Sequence, residues 1–78
     1  MSRISARRLR INGTVQGVGF RPFVYVLATD ENLNGTVLND GQGVETVVEG
    51  EEASIARFMK RLTTELPPLA SIETIVSE

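Results

Sequence analysis

A ten-residue stretch from Gly13 to Pro22 constrains the fold of this chain more than any other part of its sequence. A strand with one buried face is indicated at the start of this stretch and just before it, because Leu9, Ile11 and Val15 alternate with polar residues. A helical apolar pattern follows, and Pro22 suits the first position of that helix because the N–H that proline lacks would have no partner there. The chain must therefore turn from a strand into a helix within a few residues.

The glycines and the arginine of this stretch also make it a candidate anion site. Glycines at positions 17 and 19 allow backbone N–H groups to approach a ligand closely. A helix N-terminus adds unpaired donors and a partial positive charge, and Arg21 adds a permanent cation with a planar fork of donors. Phosphate is the anion that best fits these donors. The alternative is a tight turn with a surface arginine, and a single G-x-G pattern does not distinguish the two.

Composition narrows the chemistry that this chain can perform. Its 78 residues suffice for one small domain, and they include no cysteine and no histidine. Disulfides, thiolate metal sites and histidine bases are therefore excluded, and a reducing, cytoplasmic location is expected. No apolar run is long enough to span a membrane. We expect a domain without cofactor, metal or membrane contact that uses arginine, amides, carboxylates, hydroxyls and backbone donors.

The charges are distributed unevenly along the chain. The net charge is −2, and every Asp and Glu lies at position 30 or later. A basic beginning can steer anionic ligands toward a nearby site, although Arg8 and Arg10 also fit the solvated face of a strand. Nucleic acid is not an expected partner, because the chain is acidic overall and no aromatic residues are spaced among the basic ones. The early arginines are Arg3, Arg7, Arg8, Arg10 and Arg21.

The rest of the sequence predicts two helices and four strands. The first helix would run from Pro22 to about Asn32 and end at the Asn34–Gly35 pair. Strands are predicted at residues 7–15, 36–39, 44–49 and 71–76, with residues 1–6 as a loose arm and an Asp-Gly turn at positions 40 and 41. The helical apolar stripes are Phe23, Val26 and Leu27, then Ile55, Phe58, Met59 and Leu62; the alternating residues of the last strand are Ile72, Thr74 and Val76.

The order of these elements is βαββαβ. It predicts an α+β fold of the ferredoxin-like type, a two-layer sandwich in which two helices cover one face of an antiparallel sheet. No low-complexity segment or linker divides the chain, so residues 1–78 are expected to form one domain.

Two blocks of the sequence resemble the acylphosphatase family. One block is similar to the family's signature loop and reads Gly13-x-Val15-Gln16-Gly17-Val18-x-Phe20-Arg21. The other is similar to the family's strand that ends in asparagine before an Asp-Gly turn and reads Gly35-Thr36-Val37-Leu38-Asn39-Asp40-Gly41-x-Gly43-Val44-Glu45. Two further runs are most similar to the acylphosphatase-like domain at the N-terminus of the hydrogenase-maturation carbamoyltransferases, namely Arg21-Pro22-Phe23 and Pro67-Pro68-Leu69-Ala70.

The resemblance implies a metal-independent hydrolase of acyl phosphates, with carbamoyl phosphate the natural substrate in this branch. Arg21 would clamp two phosphate oxygens, and Asn39 would orient the attacking water. In a longer parent protein, downstream transferase domains would be the partners. The family also has a further strand after the position of Val76, so a barer sheet edge and lower stability are expected here. The phosphate-binding loop implied by the resemblance consists of Gln16, Gly17, Val18, Gly19, Phe20 and Arg21.

Other interpretations of the same residues stay open. The domain would serve as a non-catalytic phosphate-binding or channelling module, or as a ferredoxin-like interaction domain. The interaction domain fits less well, because Tyr25 lies on a predicted helix and the strands offer no exposed aromatic residues for stacking. Asn39 also fits ordinary turn chemistry, and Asp40 is assigned to the turn. Thr14 and Gln16 are candidate supporting groups for the site.

Overall fold

The computed structural model describes residues 3–41 and 43–78, which form four strands and two helices. In chain order the elements are β1 (Ile4–Thr14), α1 (Phe20–Asp30), β2 (Asn34–Asn39), β3 (Val44–Glu51), α2 (Glu52–Thr64) and β4 (Ser71–Ser77). The four strands belong to one antiparallel sheet in the order β2-β3-β1-β4. The predicted βαββαβ order and ferredoxin-like sandwich are thereby confirmed.

The helices pack against one face of the sheet, and alternation along the strands produces that face. Leu9 and Ile11 of β1 are fully buried, whereas Arg8 and Arg10 lie on the opposite, solvated face. Neither helix in the described part of the chain is long and apolar enough to cross a membrane. The core also contains Val15, Phe20, Val24, Leu27, Leu33, Val44, Val48, Ile55, Phe58 and Leu62.

The first strand is longer than predicted. Ile4–Ala6 belong to β1, so the arm expected at residues 1–6 is shorter, and its Met1 and Ser2 lie outside the described residues. These strand residues pair with the end of β3, which continues through Gly50 where the prediction ended it. The Glu52 N–H also donates to the Arg3 carbonyl at 2.9 Å. The extra pairs extend β1 across the full length of β3.

The first helix begins at Phe20 and buries a different face from the one predicted. Phe20, Val24 and Leu27 are buried at a spacing of four and then three residues, as one face of a helix requires. Val26, which was predicted in the apolar stripe, is 54% exposed, and Phe23 packs at the margin of the core. Because Phe20 anchors the first turn, the buried face is rotated relative to the prediction.

α1 ends at Asp30, and its C-terminal cap is formed at Asn32 and not at the predicted Asn34–Gly35 pair, which is part of β2. Asn32 adopts a left-handed conformation with φ of 58°. Its N–H donates to the Thr29 carbonyl at 3.1 Å, and the Leu33 N–H donates to the Ala28 carbonyl at 2.8 Å. These two bonds form a Schellman motif, in which asparagine replaces the usual glycine.

The last strand, β4, pairs with β1 through a register shift at Gly13. Gly13 has a φ of 145°, and a Cβ there would collide with the Ser71 carbonyl, so this bulge requires glycine. Ile72 and Ile75 consequently pack on the core. The predicted alternation is therefore wrong at Thr74, which is exposed, and at Val76, which is 51% exposed. β4 is the last strand in the part of the chain that the structure describes.

A cluster of ion pairs joins the end of α1 to α2. The Glu31 side chain is only 11% exposed. Its carboxylate accepts hydrogen bonds from Arg57 Nε at 2.8 Å and from Arg61 Nη1 at 3.3 Å. Arg61 Nε also donates to Glu65 Oε2 at 2.8 Å. The hydrogen bond from Arg57 is the main reason that the pKa of Glu31 is lowered, and the bond from Arg61 lowers the pKa of Glu65.

We expect this cluster to make the fold sensitive to acid. A carboxyl whose pKa is lowered by folding stabilises the protein above its unfolded-state pKa, and that stabilisation is lost as the pH falls through the lowered value. The free energy of unfolding, measured in urea, should therefore decrease between neutral pH and about pH 3. Glu31→Gln should flatten that decrease, whereas Glu73→Gln on β4 should leave it unchanged. Equal acid sensitivity in both variants would contradict a role for Glu31.

Candidate phosphate site

The loop between β1 and α1 is held at both ends by buried side chains. Val15 and Phe20 are each at most 2% exposed and belong to the hydrophobic core. The Phe20 ring also contacts the Phe23 ring, with 5.8 Å between the ring centroids. Gln16, Gly17 and Gly19 between these anchors are exposed. The core therefore fixes the ends of the loop while its middle faces solvent.

The two glycines give the loop its conformation. Gly17 and Gly19 have φ values of 72° and 76°, in the left-handed region that residues with a Cβ rarely adopt. A Cβ at either position would meet no atom within 4 Å. Glycine is thus required here by the backbone conformation, and the space beside both residues is open to a ligand.

The beginning of α1 offers unsatisfied donors. Gly19 occupies the N-cap position, where it has no side chain to accept from the first helical N–H groups. The Phe23 N–H donates to the Gly19 carbonyl at 3.2 Å, and Pro22 has no N–H. Within residues 3–41 and 43–78, the N–H groups of residues 17–21 have no hydrogen-bond partner. A row of free donors at a helix N-terminus is an arrangement that binds oxyanions.

Arg21 and Asn39 line one cleft together with Gly17, Gly19 and Phe20 of this row. The cleft has a volume of about 220 Å³ and is lined by the loop, the first residues of α1 and Asn39 at the end of β2. Among the described residues, the Arg21 guanidinium has no hydrogen-bond or ion-pair partner. The structure therefore brings together the two predicted catalytic residues. The residues that line the cleft are Val15, Gln16, Gly17, Gly19, Phe20, Arg21, Pro22 and Asn39.

Arg21 has no hydrogen-bond or ion-pair partner among the described residues, whereas each of the other arginines contacts a polar or acidic side chain. These arginines are Arg3, Arg7, Arg8, Arg10, Arg57 and Arg61. A cation without a protein partner beside a row of free donors is available to an anionic ligand.

The remaining predicted residues have distinct positions. Val18, predicted to bind phosphate, packs its half-buried side chain against the core. The Gln16 side chain donates from Nε2 to the Gly43 carbonyl at 3.3 Å, which ties the loop to the β2–β3 turn. Thr14 is the last residue of β1 and lines a second cleft next to the first. Asp40 lies in the turn, as predicted, and forms an ion pair with Arg10.

Substitution of Gly19 tests the conformation of the loop. Gly19→Ala should destabilise the domain by about 1–3 kcal/mol, or else change the loop conformation, because alanine is strained at this φ. Gly19→Asn should cost less, since asparagine tolerates the left-handed region and the neighbouring space is open. Urea unfolding and titration with inorganic phosphate would measure both effects. A Gly19→Ala protein with native stability and native phosphate affinity would contradict the assigned conformation.

A metal centre is not assembled by the described residues. In residues 3–41 and 43–78, no three Asp or Glu carboxylates lie close enough together to hold a metal ion. The donors around the cleft are backbone N–H groups, one guanidinium and two side-chain amides.

Comparison with known proteins identifies relatives of this chain. The family model for acylphosphatase matches residues 7–78. The chain is 48% identical over 71 residues to carbamoyltransferase HypF2 of Cupriavidus necator, an alignment that covers 91% of this chain and 9% of that protein. The chain thus spans about a tenth of the length of the HypF proteins that it matches.

Solved structures show the same fold. A crystal structure of full-length HypF in the phosphate- and nucleotide-bound form superposes with a TM-score of 0.95 at 42% identity, covering 100% of this chain and 10% of that one. The structure of an acylphosphatase from Coxiella burnetii superposes with a TM-score of 0.88 at 34% identity, covering 96% of this chain and 79% of that one. These two solved structures therefore have the fold of this chain.

Proposed function

The chain belongs to the acylphosphatase family, and we propose that it hydrolyses acyl phosphates in the cleft between the loop after β1 and the end of β2. One observation carries this proposal. Gly17, Gly19, Phe20 and Arg21, whose N–H groups have no partner among the described residues, line one cleft together with the exposed Asn39. The Arg21 guanidinium also has no partner among the described residues. Asn39 alone would also fit a turn, but a turn residue needs neither an open row of donors nor an uncommitted arginine beside it.

Binding of the phosphoryl group is the first step of the proposed mechanism. The backbone N–H groups of the loop and of the first turn of α1 donate to the phosphate oxygens, with the helix dipole adding to the attraction. Arg21 clamps two of those oxygens through its planar fork of donors. Because the loop is fixed by its buried ends, these donors are already in place before the substrate arrives.

Attack by water is the second step. The Asn39 side chain holds a water molecule in line with the bond between phosphorus and the acyl oxygen. A bond forms between the water oxygen and phosphorus while the bond to the acyl oxygen breaks, and the electron pair leaves with the carboxylate. Asn39 cannot accept the proton of the water at neutral pH, so that proton passes to an oxygen of the phosphate itself.

The sparseness of this machinery defines the substrate class. The chain has no histidine and no cysteine, and the residues lining the cleft include no carboxylate that would act as a general base. A carboxylate or carbamate leaves without protonation, whereas an ordinary alkoxide does not. Mixed anhydrides of phosphate are therefore the proposed substrates. The relatives named carbamoyltransferases support carbamoyl phosphate in particular. We further propose that the chain acts in the cytoplasm as one domain of a longer carbamoyltransferase that serves hydrogenase maturation.

A binding or channelling module is the second candidate function. It is favoured by one finding, namely that the HypF relatives are about ten times longer than this chain. In a longer protein the cleft would hold the phosphoryl group of a substrate and release it to a neighbouring domain. An interaction domain that stacks nucleotide bases on its sheet is disfavoured, because Tyr25, Phe20, Phe23 and Phe58 all lie on helices.

Purified protein should be assayed with acetyl, benzoyl and carbamoyl phosphate, and with an alkyl phosphate ester of similar size as the matched control. We expect the three acyl phosphates to be hydrolysed well above their spontaneous rates and the ester to be stable. Saturable binding of inorganic phosphate without turnover would favour the module. Absence of both binding and turnover would overturn the assignment of this cleft.

A further inference from the structure

Two contacts between described residues attach the turn that follows Asn39 to the rest of the domain. From β1, Arg10 Nη2 forms an ion pair with Asp40 Oδ2, and its Nη1 lies 3.5 Å from Glu45 Oε1. From the phosphate loop, Gln16 Nε2 donates to the Gly43 carbonyl at 3.3 Å. Both attachments join segments that are distant in the sequence.

The ion pair between Arg10 and Asp40 is less exposed to solvent than an ordinary surface ion pair. The Arg10 side chain is 39% exposed and that of Asp40 is 27% exposed. Glu45 lies on β3 beside Arg10, because Arg10 and Glu45 are direct partners in the β1–β3 register. The guanidinium is thus held between a strand residue and a turn residue, with one carboxylate on each side.

Asn39 is the residue that this attachment affects most directly. It is the last residue of β2, paired with Val44 across the turn, and Asp40 follows it immediately. The Asp40 N–H donates to the Gly43 carbonyl at 3.1 Å, which closes the turn. A rotation of the turn would therefore change the position of Asn39 in the cleft, while Val15 and Phe20 would still hold the ends of the loop in the core.

We propose that Arg10 is a positioning residue for Asn39, acting through its ion pair with Asp40. This inference rests on the proposed function, since it assigns a role in orienting the water that Asn39 holds. Arg10 is not among the residues that line the cleft. It holds the β2–β3 turn against β1, and this turn holds the Asn39 amide at the edge of the cleft. Loss of the ion pair should thus impair chemistry more than binding.

The experiment measures kcat and KM for benzoyl phosphate, together with the inhibition constant of inorganic phosphate. The variants are Arg10→Gln, Asp40→Asn and their combination. We expect each single variant to lower kcat about tenfold, while KM and the inhibition constant change by less than about twofold, because the loop donors and Arg21 are untouched. The double variant should have about the same kcat as either single variant, because each substitution breaks the same ion pair between Arg10 and Asp40.

Arg8→Gln is the matched control. Arg8 lies on the same face of β1 and shares Glu45 as a partner, yet its other partner is Glu78 and not a residue of the turn. Its substitution should leave kcat unchanged. Arg10→Lys, which keeps a cation for Asp40, should recover most of the lost kcat. If Arg10→Gln does not fold, Asp40→Asn provides the test, because asparagine has nearly the same size as aspartate and removes only the charge.

Two failures can be told apart. If the wild-type protein hydrolyses benzoyl phosphate and Arg10→Gln keeps its kcat, the inference about Arg10 is wrong and the proposed function stands. If the wild-type protein does not hydrolyse benzoyl phosphate, the proposed function fails and the inference fails with it. Equal losses in Arg8→Gln and Arg10→Gln, or fully additive losses in the double variant, would also overturn the inference.

Discussion

Replacement of Arg21 with alanine is expected to lower kcat/KM for acyl phosphate hydrolysis by about a hundredfold or more. Arg21 is the one residue at the cleft that offers both a full positive charge and a fork of donors, and among the described residues it has no protein partner that would share that charge. Its loss should weaken binding of the ground state and of the transition state together. The affinity for inorganic phosphate, measured by titration, should therefore fall in the same variant.

The control for this prediction is Arg3→Ala. Arg3 is also an exposed arginine, and its ion-pair partner is Glu52 at 3.8 Å, at the far end of β1 from the cleft. The Arg3→Ala protein should keep native activity and phosphate affinity. Arg21→Lys should recover part of the binding and less of the rate, since an ammonium group supplies charge without the planar fork. Full activity in Arg21→Ala would exclude the proposed mechanism.

Replacement of Asn39 with alanine is expected to separate binding from chemistry. Asn39 holds the attacking water and contributes little to the binding of the phosphoryl group in our proposal. The kcat for benzoyl phosphate should therefore fall by about a hundredfold, while the inhibition constant of inorganic phosphate should change little. Asn39→Asp should be at least as inactive, because a carboxylate at this position repels the substrate phosphate.

Asn34→Ala is the matched control for Asn39. Asn34 is the first residue of the same strand, is likewise exposed, and lies at the opposite end of that strand from the cleft. Its substitution should leave both kcat and phosphate inhibition unchanged. If Asn39→Ala instead weakened phosphate binding in proportion to the rate, Asn39 would be a binding residue and the water would need another partner.

Much of the fold could be predicted from the sequence, because local periodicity indicates the strands and helices. The buried face of α2, with Ile55, Phe58 and Leu62, follows directly from a spacing of three and four residues. The predictions were wrong at positions where contacts between elements, and not local periodicity, determine the structure. The start of α1 depends on the burial of Phe20, and the register of β4 depends on the bulge at Gly13, which requires knowledge of the neighbouring strand.

The candidate site also has parts that could be predicted from the sequence and parts that could not. The loop glycines and Arg21 lie close together in the sequence, so a strand-loop-helix pattern marked them as a candidate anion site, with a structural turn as the alternative. Asn39 was indicated by the resemblance to a family. The contacts of the β2–β3 turn were not predicted, because Arg10 and Asp40 are 30 residues apart and Gln16 and Gly43 are 27 apart. Only the order of strands in the sheet brings such residues together.

Hydrolysis of benzoyl phosphate in water enriched in heavy oxygen tests the central claim most directly. Attack by a water held at Asn39 on a phosphoryl group held by Arg21 breaks the bond between phosphorus and the acyl oxygen. The heavy oxygen should then appear in the inorganic phosphate and be absent from the benzoate, at a rate that Arg21→Ala lowers by about a hundredfold or more. Heavy oxygen in the benzoate, or a wild-type rate equal to that of Arg21→Ala, would contradict the account.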